Sequence, residues 1–171
     1  RYTVWVDHIP KLEDTAVSMV VEVLDGPPVV AERAMYWGPS PEWIDGHVSL
    51  GASQLGTTWV SAGAATGERG ASTYLLIGNP SRETARVRAT VLLDGGGASI
   101  SREFTVLPTS RFNIAFAPGG SVHFPEVLYG RFGILLESLD GVPVIVEQAT
   151  YRDAGSVPWE AGSSMPARRI R

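Results

Sequence analysis

The sequence contains no cysteine. Disulfides, thiolate nucleophiles and zinc–sulfur centres are therefore excluded as sources of stability or chemistry. Lysine is nearly absent: Lys11 stands alone beside scattered arginines, and only Arg168, Arg169 and Arg171 form a locally basic stretch. A formal net charge of −4 over 171 residues leaves no electrostatic footprint for nucleic acid. No run is long and apolar enough to span a bilayer as a helix. Histidine is limited to His8, His47 and His123. What the chain does have is an ordinary apolar share, 44%, enough for a real core. It also has 19 Gly and 12 Pro, which cut the sequence into short runs.

The runs repeat. HIPKLEDTAVSMVVEVLDGPPVVAERAMY (8–36) returns as HFPEVLYGRFGILLESLDGVPVIVEQATY (123–151). At one constant spacing His8 matches His123, Pro10 Pro125, Asp25-Gly26 Asp140-Gly141, Glu32 Glu147 and Tyr36 Tyr151. Upstream, after a short gap, RYTVWV (1–6) matches RFNIAF (111–116). A repeat this long is a domain array rather than a short solenoid unit.

Within the second copy and the residues before it, β-type runs alternate with turn residues. Seven strands are expected: 57–62, 73–79, 85–93, 98–106, 111–116, 132–139 and 143–151. In ARVRATVLL, Val87, Ala89 and Val91 face one way and Arg86, Arg88 and Thr90 the other. Asp94 with Gly95–Gly97, and Asp-Gly at 25–26 and 140–141, read as hairpin turns. Pro with a nearby acidic residue predicts a helical turn around 125–129, and around 10–14 in the first copy. Seven short strands predict an all-β fold, an immunoglobulin- or fibronectin-like antiparallel sandwich. The strand count alone carries that expectation and leaves the topology open.

The domain reading follows. Residues 1–37 are the last three strands (2–6, 16–24, 29–37) of an incomplete sandwich module. Residues 38–56, with Pro39, Pro41, Gly46, Gly51 and Gly56, are an irregular linker. Residues 57–152 form the complete module and 153–171 a C-terminal tail. In that tail, Trp159-Glu160-Ala161-Gly162 echoes the start of the module, Trp59–Gly63. Three strands cannot enclose a core, so the first copy is expected to be the end of a longer module and to pack on protein beyond it.

The phrases VVAERAMYW (29–37), TTWVSAGAATGERGASTYLLIGNP (57–80), SREFTVLPTSRFNIAF (101–116) and YRDAGSVPWEAGSS (151–164) resemble a β-rich tandem-repeat module of large exported bacterial proteins. The resemblance spans most of the chain. It implies a secreted or cell-surface location and a string of β-domains, and it brings no activity with it. Two places depart from the pattern: Ser61-Ala62-Gly63 stands for Ala-Glu-Gly, and Glu147–Arg152 reads EQATYR in place of ERAMYW.

Candidate sites are few. Asp7, His8, His47 and Ser49 offer the residue types of a nucleophilic triad, without a nucleophile elbow. His8 and His123 recur at the same module position, which suits turn packing. No catalytic, cofactor or metal site is assigned. Glu13-Asp14, Asp45, His47 and Asp153 are too isolated for a metal set, although calcium between modules remains a candidate because its oxygen ligands can come from distant loops. Glu32 and Glu147 share a strand face with Ala and Tyr, where a carboxylate needs a partner. Arg1 and Arg111 are the expected partners, in structural ion pairs that fix register. The alternative is a ligand-binding carboxylate. Trp5, Trp37 and Trp43 with Val17, Met19 and Val21 are expected at an interface. The resulting expectation is a non-enzymatic structural or adhesive module binding protein, either upstream chain or a neighbouring subunit. A carbohydrate-binding module using Trp5, Trp37, Trp43, Trp59, Tyr74 or Trp159, or a filament subunit completed by a partner's strands, are the alternatives.

Overall fold

The expected β-runs pair as strands because each alternates an apolar and a polar face, and pairing two such sheets hides both apolar faces at once. The computed structural model describes all residues but 14, 39–41, 119–120 and 155–156; the side chains of 154 and 157–159 also lie outside the described set. Its strands are β1 (Glu32–Trp37), β2 (Asp45–Leu50), β3 (Thr58–Thr66), β4 (Ala71–Asn79), β5 (Ala85–Leu93), β6 (Ile100–Val106), β7 (Ser110–Phe116), β8 (Gly130–Ser138), β9 (Ile145–Ala154), β10 (Val157–Pro166) and β11 (Arg168–Arg169). The described residues contain no α-helix.

The fold is an antiparallel β-sandwich. One sheet has five strands in the order β11-β3-β8-β5-β6, the other four in the order β10-β9-β4-β7. All seven strands expected of the complete module are present as β3 to β9. Their connectivity departs from the constant-type immunoglobulin domain, whose first, second, fifth and fourth strands oppose the third, sixth and seventh. Here the first, fourth and seventh (β3, β6, β9) lie with the opposite partners. One consequence corrects a turn. β8 and β9 belong to different sheets, so Asp140-Gly141 is a corner between sheets rather than a hairpin. Asp140 ties the corner by accepting from Ser138 Oγ, Val142 N and Arg86 N. Gly95 and Gly96, at φ of 81° and 77°, do close the β5–β6 hairpin.

The core lies between the sheets. Val87, Ala89 and Val91 on β5 and Ile134 and Leu136 on β8 face Leu75 and Ile77 on β4, Ile114 and Phe116 on β7 and Val146 on β9, all at most 1% exposed. Each Val, Leu, Ile or Phe side chain among them contributes about 1.5–3 kcal/mol by leaving water. Phe116 stacks on Phe124 and packs on Phe132, with centroids 5.3 and 4.7 Å apart. The opposite face of β5 is polar as expected: Arg86 and Arg88 both pair with Glu103. Inside the sandwich a polar bridge joins the sheets where Ser61 Oγ donates to Gln148 Oε1 at 2.6 Å.

The first copy behaves differently. Of its three expected strands only the last forms, as β1. Residues 2–6 and 16–24 join no ladder, although their sequences match β7 and β8. A strand needs a neighbour to bond, and among the described residues none is offered. The expected linker is also corrected: its middle, Asp45–Leu50, is β2, antiparallel to β1. Asp45, His47 and Ser49 alternate with Gly46, Val48 and Leu50 there, a strand pattern hidden among glycines. Pro39 and Pro41 lie outside the described residues. The tail is likewise two strands, β10 beside β9 and β11 beside β3. The helical turn expected at 125–129 is a single turn, Val127 N to Phe124 O. Its counterpart in the first copy, Leu12 N to Ile9 O, is the same bond at the same repeat position.

Candidate functional site

The densest group of polar and aromatic side chains lies on the outer face of the four-stranded sheet. Alternation along β9 aims Val146 and Gln148 inward and Glu147, Ala149 and Tyr151 outward. Arg111 on β7, Tyr74 on β4 and Ser164 on β10 extend this outer face. The β1–β2 hairpin lies across it, and Arg33, Trp37, Asp45 and His47 supply the contacts.

Arg33 Nη2 donates to Glu147 Oε1 at 2.6 Å and reaches Ser164 Oγ at 3.4 Å. His47 Nδ1 lies 3.0 Å from Ser164 Oγ, and its Nε2 lies 3.3 Å from the Tyr151 hydroxyl. Asp45 Oδ2 accepts from Gly162 N at 3.0 Å. Trp37 meets Tyr151 edge-on at 5.5 Å, and Tyr74 meets the same ring at 5.9 Å. Each ring pair of this kind adds about 0.5–1.5 kcal/mol beyond its burial.

Burial sets the electrostatics. The His47 imidazole is held below its ordinary value by desolvation and then by the Arg33 charge, against the pull of Glu147 and Asp45. The Tyr151 phenol is pushed up, again mainly by burial. Arg111 is lowered by desolvation from the ordinary guanidinium value and remains a cation. A neutral His47 can donate from one nitrogen and accept at the other, which suits its two hydroxyl neighbours. Ser164 sits in a regular strand, and the second nitrogen of His47 faces a phenol instead of an orienting carboxylate. This arrangement fastens two surfaces together; it lacks the base-and-orienter geometry that activates a nucleophile.

The structure redistributes the residues singled out from sequence. Glu147 pairs with Arg33 of the first copy, not with Arg111. Arg111 donates to Asn113 Oδ1 and to the Val17 carbonyl. Glu32 and Arg1 are exposed. The expected register-fixing pair is thus replaced by one between copies, because the hairpin brings Arg33 over β9. Trp37 is in the contact. Trp43 packs on Tyr36 at 6.1 Å and is 49% exposed, and Trp5 stacks on His8 at 5.6 Å and is 61% exposed. Met19 and Val21 are exposed and Val17 is half-buried. Trp59 is core, its Nε1 donating to Gly56 O. The side chain of Trp159, like Asp14, lies outside the described residues. With His8 on Trp5 and His47 on Ser164 and Tyr151, the four triad candidates are not assembled.

Arg33, Gly162 and Ser164 went unnoticed as site residues, yet the sequence carried a signal for one of them, Gly162. Shifted by one position, Trp43 matches Trp159 and Gly46 matches Gly162. The tail therefore echoes the linker more closely than it echoes 59–63. The registers agree: β1–β2 sets Glu32 opposite Leu50 and Tyr36 opposite Gly46, while β9–β10 sets Glu147 opposite Pro166 and Tyr151 opposite Gly162. The two hairpins are the same structural unit, one docked on the outer face of the other.

No family model matches the chain, and no curated protein matches it. Two solved structures are similar. The crystal structure of Thermotoga maritima 1070 aligns with a TM-score of 0.53 at 18% identity, covering 67% of this chain and 94% of that one. The Anabaena sensory rhodopsin transducer aligns with a TM-score of 0.44 at 18% identity, covering 57% and 91%. The first supports the sandwich fold alone.

Proposed function

We propose that this chain is a non-enzymatic structural or adhesive β-sandwich module that mediates protein–protein assembly at the bacterial surface. The observation that carries the reading is the docked hairpin: the best-formed polar cluster joins one repeat copy to another. Its donors and acceptors are largely spent across that contact. Residues of the first copy also leave large apolar side chains in water, Tyr2 at 91%, Leu24 at 89% and Val30 at 86% exposed. Apolar surface of this extent marks a place where protein packs. Location at the surface rests on the resemblance of the repeat phrases to modules of exported proteins.

A carbohydrate-binding role is the second reading, favoured by the exposed rings of Trp5 and Trp43. Light scattering across a concentration series, with a glycan array run in parallel, separates the two. The expected outcome is concentration-dependent self-association, reduced by Met19→Ser with Val21→Ser, and no glycan signal. A strictly monomeric chain overturns the assembly reading. So does a glycan signal abolished by Trp43→Ala.

A further inference from the structure

We propose that residues 1–50 are the second half of another sandwich, and that their bare surface is completed by a polypeptide carrying the β3–β6 strand pattern. This rests on the assembly reading and names the partner. The inference comes from comparing the two copies position by position. Val4 occupies the place of Ile114, and Ile9 that of Phe124. Met19 and Val21 stand for Ile134 and Leu136, and Val29 for Val144. In the second copy these five positions are at most 1% exposed. In the first they are 47%, 39%, 58%, 53% and 61% exposed. Apolar residues thus recur at positions the fold uses for its core, and what they lack is the opposing layer.

The second copy says what that layer is. β7 bonds to β4, β8 lies between β3 and β5, and β9 bonds to β4. The counterparts of β7, β8 and β9 in the first copy need the counterparts of β3, β4 and β5, with β6 to close the sheet edge. Those strands occur once in this sequence and are consumed in the second copy. The local turn is already in place, because the Ile9–Leu12 bond repeats the Phe124–Val127 bond. The hairpin that ends the half is formed in the native register as β1–β2. Extended segments with ready partners' patterns and unpaired edges are suited to strand complementation.

Completion also changes the hairpin's contacts. Arg33 and Met35 hold the places of Gln148 and Thr150, and Gln148 points into the sandwich, 4% exposed and bonded to Ser61 of the other sheet. The face that now holds Glu147 and Tyr151 is therefore the face a completed first sandwich would take inward. Complementation and the present docking exclude each other.

The test attaches residues 57–110 ahead of Arg1 in the full chain and follows amide exchange. Amides of 2–6 and 16–24 should slow by roughly a hundredfold or more, as sheet amides do when their ladder forms. Tyr151 should become more accessible as the hairpin leaves it. Met19→Asp with Val21→Asp in the same fusion should restore fast exchange in the first copy while leaving exchange in 58–154 unchanged. Should the fusion be insoluble, the 57–110 segment co-expressed with the tagged full chain should be retained in a 1:1 complex. Unprotected amides in a soluble fusion overturn the proposal, as does failure of capture where the fusion is insoluble. Self-association of 1–171 alongside either failure leaves the assembly reading standing; a monomeric chain would remove both.

Discussion

The ring of Tyr151 fills the space that a side chain at Gly162 would occupy. A Cβ on Gly162 would lie 2.7 Å from Tyr151 Cδ1 and 2.7 Å from Trp37 Cη2. The pair has a twin: a Cβ on Gly46 would lie 2.6 Å from Tyr36 Cδ1. A tyrosine over the glycine of the next strand is thus a fixed feature of the hairpin in both copies, and the absent side chain is what lets the ring lie flat on the ladder.

Gly162→Val should therefore expel Tyr151 and Trp37 from their places. Overpacking of this kind costs about 1–3 kcal/mol. The expected readout is loss of exchange protection in β1–β2 and at the β10 edge, with β5 and β8 unaffected. Unchanged protection in β1–β2 would show that the ring does not depend on the glycine.

Glu147→Gln should weaken the hairpin's attachment rather than unfold the sandwich. The Arg33–Glu147 side chains are 32% and 23% exposed, so solvent screens the pair and the cost is about 1 kcal/mol. Arg33→Gln should cost about the same, and the double variant little more than either, because both remove one interaction. Additive losses in a thermal-melt cycle would contradict the pairing.

Docking should depend on pH through His47. Its imidazole is held below the ordinary 6.5 mainly by burial, so the docked state binds fewer protons than the open one. Attachment is complete above the ordinary value and is lost as pH falls through it toward the lowered one. Protonation would set a cation beside Arg33 and remove the acceptor nitrogen. Tyr151 fluorescence or amide exchange of 45–50, followed from about pH 8 to pH 5, should report opening in acid. His47→Gln should abolish that dependence.

Asn79 holds the β4–β5 turn. It is 1% exposed; its Nδ2 lies within bonding distance of Glu83 O, Val106 O and Leu107 O, and its Oδ1 accepts from Ser81 N and Oγ. Asn79→Ala takes the Nδ2 donor from the buried Val106 carbonyl and removes the part-buried bonds to Glu83, Leu107 and Ser81, and should cost about 1–3 kcal/mol in urea unfolding of the whole chain. A cost below about 1 kcal/mol would mean water takes over those bonds.

The sandwich was legible in the sequence because its signal is local. Alternation such as Val87, Ala89, Val91 against Arg86, Arg88, Thr90 needs only neighbours along the chain. The Asp140-Gly141 corner was misread as a hairpin for the same reason: the dipeptide specifies a turn but not which sheets its strands join. The outward face of Glu147, Ala149 and Tyr151 was visible from its repetition, but its partner was not. Arg33 lies far away in sequence and reaches Glu147 only because an entire hairpin crosses the sheet. Asp45, Gly46 and His47 looked like linker because Pro and Gly surround them, and only cross-strand register discloses β2. Nothing in periodicity could tell that the runs at 2–6 and 16–24, as strand-like as β7 and β8, would find no ladder among the described residues.

The short strand β11 has a mechanical meaning. Arg171 O accepts from Thr57 N at 2.9 Å, and Arg168 and Arg169 lie antiparallel to Val60 and Trp59. The chain thus enters the sandwich and arrives at residue 171 at one point of one sheet. Tension applied between Gly56 and Arg171 meets those bonds one after another, as in opening a zipper, and never pulls the two sheets past each other in shear. The first element to yield is β11, peeling from β3, while Val87, Ile134 and Phe116 stay packed.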